Sequence, residues 1–64
     1  MVKVNGEQLD IAGWTVAEYL QSCDYNLTRI AVEINGEIVP KREYGVRTVA
    51  DGDSVEVVSF VGGG

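Results

Sequence analysis

The chain has 64 residues, 45% of them hydrophobic and 23% charged, which suits one globular domain with a thin core and excludes a disordered chain. Its formal net charge of -5 makes nucleic acid and anionic membranes poor partners, and it favours a protein partner with a basic docking surface. Because the chain has no histidine and only one cysteine, Cys23, the sequence excludes Ser-His-Asp and Cys-His catalysis, the usual zinc sites and an internal disulfide.

The sequence carries no common membrane or export signal. No apolar run approaches the ~20 residues of a membrane-spanning helix, and residues 1–5 lack the apolar stretch of a signal peptide. We therefore expect a cytoplasmic protein. A chain this short, without histidine, is also not expected to be an enzyme by itself.

The first element is a predicted β-hairpin. Val2 and Val4 alternate with polar residues, which is the pattern of a half-buried strand. Asn5-Gly6 follows, and Asn-Gly is the strongest short hairpin signal because a type I′ turn needs positive φ at both central residues. The return strand is predicted over residues 7–11.

A short helix is predicted next, over residues 16–23. Thr15 and Glu18 have the spacing of a capping box, in which each side chain bonds the backbone N–H of the other residue. Val16, Leu20 and Cys23 share one helical face. That placement predicts that Cys23 is a small core residue rather than a reactive thiol.

The alternating pattern of a half-buried strand appears again over residues 29–34. Three of its apolar residues are predicted to point inward: Ile30, Val32 and Ile34. Asn35-Gly36 repeats the turn signal, and a short strand over residues 37–39 stops at Pro40.

An irregular segment is predicted over residues 41–50. Its expected anchors in the core are three hydrophobic residues: Tyr44, Val46 and Val49. The sequence Asp51-Gly52-Asp53 then predicts a turn.

The last predicted strand covers residues 54–60 and is apolar on both faces. Val55 and Val57 point one way, whereas Val58 and Phe60 point the other way. This pattern indicates a central strand, which would pair in parallel with the first strand. We therefore predict an α+β, ubiquitin-like β-grasp fold, in which a mixed sheet of four to five strands packs on one short helix.

The end of the chain carries the sharpest functional signal. Val61 is followed by Gly62, Gly63 and Gly64, and four residues can reach roughly 13 Å beyond the sheet. Glycines have no side chain, so such a tail can enter a narrow channel and place its carboxylate in another enzyme's active site. We expect one domain over residues 1–60 and a flexible C-terminal glycine tail over residues 61–64.

Residues 2–64 resemble the ThiS family of sulfur carriers from thiamin biosynthesis, within the ThiS/MoaD and ubiquitin-like group. The matching motifs are Val4-Asn5-Gly6-Glu7, Thr15-Val16-Ala17-Glu18-Tyr19-Leu20, Ala31-Val32-Glu33-Ile34-Asn35-Gly36-Glu37-Ile38-Val39-Pro40, Asp51-Gly52-Asp53-Ser54-Val55-Glu56 and Phe60-Val61-Gly62-Gly63-Gly64. The family pattern ends in two glycines, whereas this chain has three.

The resemblance implies a carrier that other enzymes act on. A ThiF-like adenylyltransferase would use ATP and magnesium to adenylate the Gly64 carboxylate, and a persulfide sulfur donor would convert it to a thiocarboxylate. A ThiG-like thiazole synthase would receive that sulfur for the thiazole ring of thiamin. The chain itself would bind no cofactor and no metal, since it has no phosphate-binding loop of the Gly-x-x-x-x-Gly-Lys type.

A second candidate site is a docking patch beside the tail. Val58 and Phe60 are expected on the sheet face away from the helix, and with Val61 they would form an apolar partner-binding surface. The alternative is that residues 41–50 fold over this face and cover it. The patch is proposed to contact the activating enzyme.

The same sequence features are also compatible with functions other than sulfur transfer to thiazole. The activated Gly64 could be attacked by a lysine, as in a ubiquitin-like protein modifier, or the sulfur could go to molybdopterin or to tRNA. Residues 32–57 also resemble TGS domains, which are binding modules inside longer proteins. A TGS-like module would not need a free glycine terminus, so we expect a carrier instead.

Overall fold

The computed structural model of the protein describes residues 1–60. Its helix and strands are, in chain order, β1 (Val2–Val4), β2 (Glu7–Leu9), α1 (Val16–Ser22), β3 (Ile30–Ile34), β4 (Glu37–Val39) and β5 (Ser54–Ser59). Short 3₁₀ turns occur at Leu27–Arg29 and Lys41–Glu43. Within residues 1–60, no helix is long and apolar enough to cross a membrane.

The strands form one mixed sheet in the order β2-β1-β5-β3-β4. β5 lies at the centre, parallel to β1 and antiparallel to β3, and the two hairpins form the outer pairs. Since α1 covers one face, the predicted α+β, ubiquitin-like β-grasp fold is confirmed, with five strands.

Both predicted hairpin turns have the expected backbone. The φ angles are 49° at Asn5 and 86° at Gly6, and they are 53° at Asn35 and 86° at Gly36. Positive φ at both central positions defines the type I′ turn, whose twist matches that of the flanking strands. The two Asn-Gly sequences therefore predict the positions of both hairpins correctly.

The predicted return strand over residues 7–11 is too long. β2 ends at Leu9, because the chain bends at Asp10 and turns so that the Trp14 N–H donates to the Ile11 carbonyl, at 3.0 Å. Ile11 is still buried. It joins the core from a loop rather than from the sheet.

The capping box that the sequence predicts for α1 is present. The Glu18 N–H donates to Thr15 Oγ1 at 3.1 Å, and the Thr15 N–H donates to Glu18 Oε1 at 2.8 Å. Val16 and Leu20 are buried on the face toward the sheet.

Cys23 is not a core residue. α1 ends at Ser22, and Cys23 is its C-cap, with φ -106° and ψ 1°, and is exposed. The helical spacing that would have turned Cys23 toward the core applies only inside the helix, so the prediction failed where the helix ended.

Residues 41–50 pack beside the start of α1. The N–H groups of Val16 and Ala17 donate to the carbonyls of Arg47 and Tyr44, at 2.8 and 2.9 Å. These donors belong to the first helical turn and have no partner inside the helix. The irregular segment therefore completes the helix cap.

Two of the three predicted anchors in this segment are correct. Tyr44 and Val49 are buried, and Val49 exchanges backbone hydrogen bonds with Gly13 and Trp14. Val46, by contrast, is 78% exposed. It is the last residue of a turn that its own N–H closes by donating to the Glu43 carbonyl at 3.1 Å, and at that position its side chain is directed outward.

The core lies between α1 and one face of the sheet. It contains buried hydrophobic residues from every strand except β2, together with residues of α1 and the loops: Val2, Val4, Ile11, Val16, Leu20, Ile30, Val32, Ile34, Val39, Tyr44, Val49, Val55 and Val57. Within residues 1–60, no charged or polar side chain is buried with them.

We expect Thr15→Ala to lower the free energy of unfolding by about 0.5–2 kcal/mol, because the Glu18 N–H would lose its side-chain acceptor. The midpoint of urea unfolding, followed by circular dichroism, measures this loss. Thr48→Ala, at an exposed position, is the control and should shift the midpoint much less. Equal shifts would contradict the role given to the cap.

Candidate functional site

β5 is the element that leads to the glycine tail, and it is held along both edges. On one side Val4 pairs with Val55, and on the other side the register runs from Ile34 opposite Val55 to Ile30 opposite Ser59. Beyond Ser59, the Phe60 N–H donates to the Arg29 carbonyl at 2.7 Å. The last described residue of the chain is therefore still bonded to the residue that precedes β3.

Asn5 extends the pairing between β1 and β5 where β1 turns away. Its N–H donates to the Val55 carbonyl at 2.9 Å. Its side-chain Oδ1 accepts from the Val57 N–H at 2.8 Å, and its Nδ2 donates to the Val57 carbonyl at 3.3 Å. The side-chain amide thus replaces the backbone partner that β1 would have supplied.

Asn35 has the matching role at the start of β5. Its N–H donates to the Ser54 carbonyl at 2.8 Å, and its Oδ1 accepts from the Ser54 N–H at 2.9 Å. Its Nδ2 donates to Asp53 Oδ1 at 3.0 Å, while Asp53 Oδ2 accepts from the Ala50 N–H at 2.8 Å. The predicted turn at residues 51–53 is thereby tied to the β3–β4 hairpin.

Sequence reasoning used Asn5 and Asn35 only as turn formers and missed these bonds. The available signal was that both turns have asparagine rather than aspartate before glycine. Aspartate also tolerates the turn, but its carboxylate cannot donate. The need for a side chain that both donates and accepts was therefore visible, although its partner on β5 was not.

Val58 and Phe60 lie on the face of the sheet away from α1, and they are 45% and 55% exposed. The alternative that residues 41–50 cover them is wrong, because that segment packs beside the start of α1. Ala31 lies opposite Val58, and Ile38, on β4, is 71% exposed on the same face. We call this surface the open face.

The open face also carries acidic side chains, whereas the described part of the chain offers no site for a metal ion. Glu33 and Glu56 lie on it, directly opposite each other. Within residues 1–60, no group of three or more His, Cys, Asp or Glu side chains could hold a metal.

The two tyrosines with displaced pKa values belong to the helix side of the sheet. Burial raises the pKa of Tyr19, and the neighbouring Cys23 adds to the shift. Burial also raises the pKa of Tyr44. Both phenols therefore stay neutral near pH 7 and contribute no charge to the surface.

The residues predicted to carry the chemistry lie outside the described part of the chain. These are Gly64, whose carboxylate is the predicted reaction site, with Gly62, Gly63 and the patch residue Val61. The structure brings Val58 and Phe60 together near the point where that segment begins. Their contact with a partner stays a prediction.

A mixed five-stranded sheet, with one helix across it and the last strand at its centre, defines a ubiquitin-like β-grasp protein. A scan against family models matches residues 2–64 to the ThiS family. The chain belongs to the ThiS family.

Known relatives agree with this assignment along the whole chain. The chain is 39% identical over 64 residues to the sulfur carrier protein ThiS of Thermus thermophilus, covering 100% of both chains. The crystal structure of the thiamine biosynthesis protein ThiS from Geobacter metallireducens superposes with a TM-score of 0.79, at 34% identity, covering 98% of this chain and 97% of that chain.

A larger relative contains a similar segment. The chain is 44% identical over 62 residues to the thiazole synthase of Paramagnetospirillum magneticum. The matched region covers 95% of this chain. The chain spans only 19% of that protein's length.

We expect Asn5→Asp to lower the free energy of unfolding by about 1–3 kcal/mol, because a carboxylate keeps the acceptor but places charge against the Val57 carbonyl. Asn26→Asp is a matched control, since the Asn26 side chain only accepts, from the Thr28 N–H and hydroxyl. Chemical unfolding of both variants at neutral pH measures the difference. If both lose the same stability, the donor role of Asn5 is wrong.

Proposed function

We propose that the chain is a sulfur carrier of thiamin biosynthesis and that its reacting group is the carboxylate of Gly64. The observation that supports this most is the family match through residue 64, which includes the glycine end. A relative that matches over its whole length is named a sulfur carrier protein. In this proposal the protein is not itself an enzyme but a co-substrate of other enzymes.

The chemistry requires activation because a free carboxylate is a poor electrophile. A ThiF-like adenylyltransferase would bind ATP and magnesium, and the Gly64 carboxylate would displace pyrophosphate from ATP to give an acyl-adenylate. The terminal sulfur of a persulfide donor would then displace AMP. Reduction of the remaining sulfur–sulfur bond by a thiol leaves the thiocarboxylate, which is a good nucleophile.

The described fold supports this role by holding the base of the tail. β5 is bonded on both edges, and the Phe60 N–H is bonded to the Arg29 carbonyl. A partner that binds the open face therefore meets a rigid sheet next to the reacting end. Little conformational freedom therefore has to be lost within residues 1–60 on binding.

We propose a ThiG-like thiazole synthase as the acceptor of the sulfur. The support is the thiazole synthase of Paramagnetospirillum magneticum, which contains a segment 44% identical to this chain. The competing acceptors are molybdopterin, tRNA and a lysine of a modified protein. A TGS-like binding module would transfer nothing.

The carrier proposal predicts a change in intact mass. After incubation with the adenylyltransferase, ATP, magnesium and a persulfide source, we expect the mass to change by one oxygen replaced by sulfur, located at Gly64 by fragmentation. A variant with one alanine appended after Gly64 is the control, because it moves the carboxylate away from the position that the partner recognises.

An unchanged mass, with the partner shown to be active on another carrier, would contradict sulfur transfer. A covalent bond to a lysine would indicate a protein modifier. Modification of the alanine-extended variant at the same rate as the parent chain would contradict the proposed recognition of Gly64.

We expect Phe60→Asp to abolish binding to the adenylyltransferase without unfolding the domain, because it places a charge in an exposed apolar surface. Val46→Asp is the matched control, since Val46 is 78% exposed and lies in the segment beside α1. Calorimetric titration measures binding, and circular dichroism checks folding. Unchanged binding by a folded Phe60→Asp variant would show that the patch is not a contact surface.

A further inference from the structure

Two acidic side chains face each other across the centre of the open face. Glu33 in β3 and Glu56 in β5 are register partners. The residues on either side of each are buried against α1, so both carboxylates project from the opposite face. Like charges directly opposite each other destabilise a sheet, and this pair therefore works against the fold that carries it.

Neither carboxylate is neutralised within the described chain. Across residues 1–60 the only ion pair joins the Met1 amine to Asp51. Lys3 is on the same face but pairs with Ser54 in the sheet, and it forms no ion pair with either glutamate. The two negative charges are therefore available to an external cation.

Apolar side chains border the acidic pair on two sides. Ile38 lies opposite Glu33 on β4, and the Ala31–Val58 pair lies two residues along β3 and β5. Alternate residues of a strand are about 7 Å apart, so Phe60 lies roughly 14 Å from Glu56 along β5. Charge and apolar surface thus fall within the area of one small interface.

We propose that this face binds an apolar surface of the adenylating partner that carries a cationic side chain placed between Glu33 and Glu56. Arginine suits this position because its planar guanidinium presents donors on two edges and can contact both carboxylates. The apolar neighbours of that arginine would cover Ala31, Val58 and Phe60. The identity of the partner rests on the proposed function.

Charge complementarity is the reason to choose this occupant. The chain has a net charge of -5, which attracts a basic partner, and the facing glutamates place two negative charges beside the exposed apolar side chains of the open face. An acidic or neutral partner would leave both glutamates facing each other, with water partly excluded by Ile38 and Val58. A cation between them converts the repulsion into two attractive contacts.

The test compares two double variants that remove the same charge from opposite faces. Glu33→Gln/Glu56→Gln removes the proposed contact. Glu7→Gln/Glu37→Gln is the control, because Glu7 pairs with Val4 and Glu37 pairs with Ile34, so that both lie on the helix side. The dissociation constant for the adenylating enzyme is measured at low and at high salt, together with the mass change of the parent chain at Gly64.

We expect Glu33→Gln/Glu56→Gln to bind roughly tenfold to a hundredfold more weakly at low salt, with a flatter dependence on salt, while its unfolding midpoint does not fall. The control should bind within about twofold of the parent chain. Parent-like binding and salt dependence of the open-face variant, or equal losses in both variants, would overturn the proposal. Absence of the mass change in a parent chain that still binds would overturn the carrier function alone.

Discussion

The fold depends on the pairing of β5 with strands on both of its edges. β1 and β5 are separated by most of the chain, yet Val4 must lie beside Val55 before the sheet can close. Such long-range contacts carry a loop-closure entropy that local contacts do not. Side-chain hydrogen bonds of Asn5 to Val57 and of Asn35 to Ser54 extend the pairing of β5 beyond the ends of its neighbours β1 and β3. Asn5 and Asn35, which form the two hairpin turns, therefore also hold the central strand β5 in place.

This arrangement gives the sheet one face that is buried against α1 and one face that is exposed. Alternate residues of β5 project to opposite sides, so Val55 and Val57 enter the core while Val58 and Phe60 stay exposed. A domain of about 60 residues has little apolar surface to spare. Exposed hydrophobic residues on its central strand are therefore better explained by a partner than by the needs of the core.

Local signals were enough to predict most of the fold. The Asn5-Gly6 turn and the Thr15 cap are decided by neighbouring residues, and the two apolar faces of β5 indicated its central position. The errors fall outside the regular elements: Cys23 follows the last helical residue, and Val46 ends a turn. Both endpoints are marked by local turn hydrogen bonds, from the Cys23 N–H to the Leu20 carbonyl and from the Val46 N–H to the Glu43 carbonyl, and a periodic hydrophobic pattern does not show where such turns fall. The glycine end had no comparable structural test, because its residues lie outside the described part of the chain.

Only some features of the open face could be predicted from the sequence. The positions of Val58 and Phe60 followed from alternation within one strand. The opposition of Glu33 and Glu56 depends instead on the register between β3 and β5, which are separated in the chain by residues 35–53. A shift of one residue would have separated the two carboxylates onto opposite faces. The register is fixed instead by the buried pairs Val32–Val57 and Ile34–Val55. The same packing that stabilises the core therefore brings the two charges together, so the arrangement of charges on the exposed face is determined by the buried face.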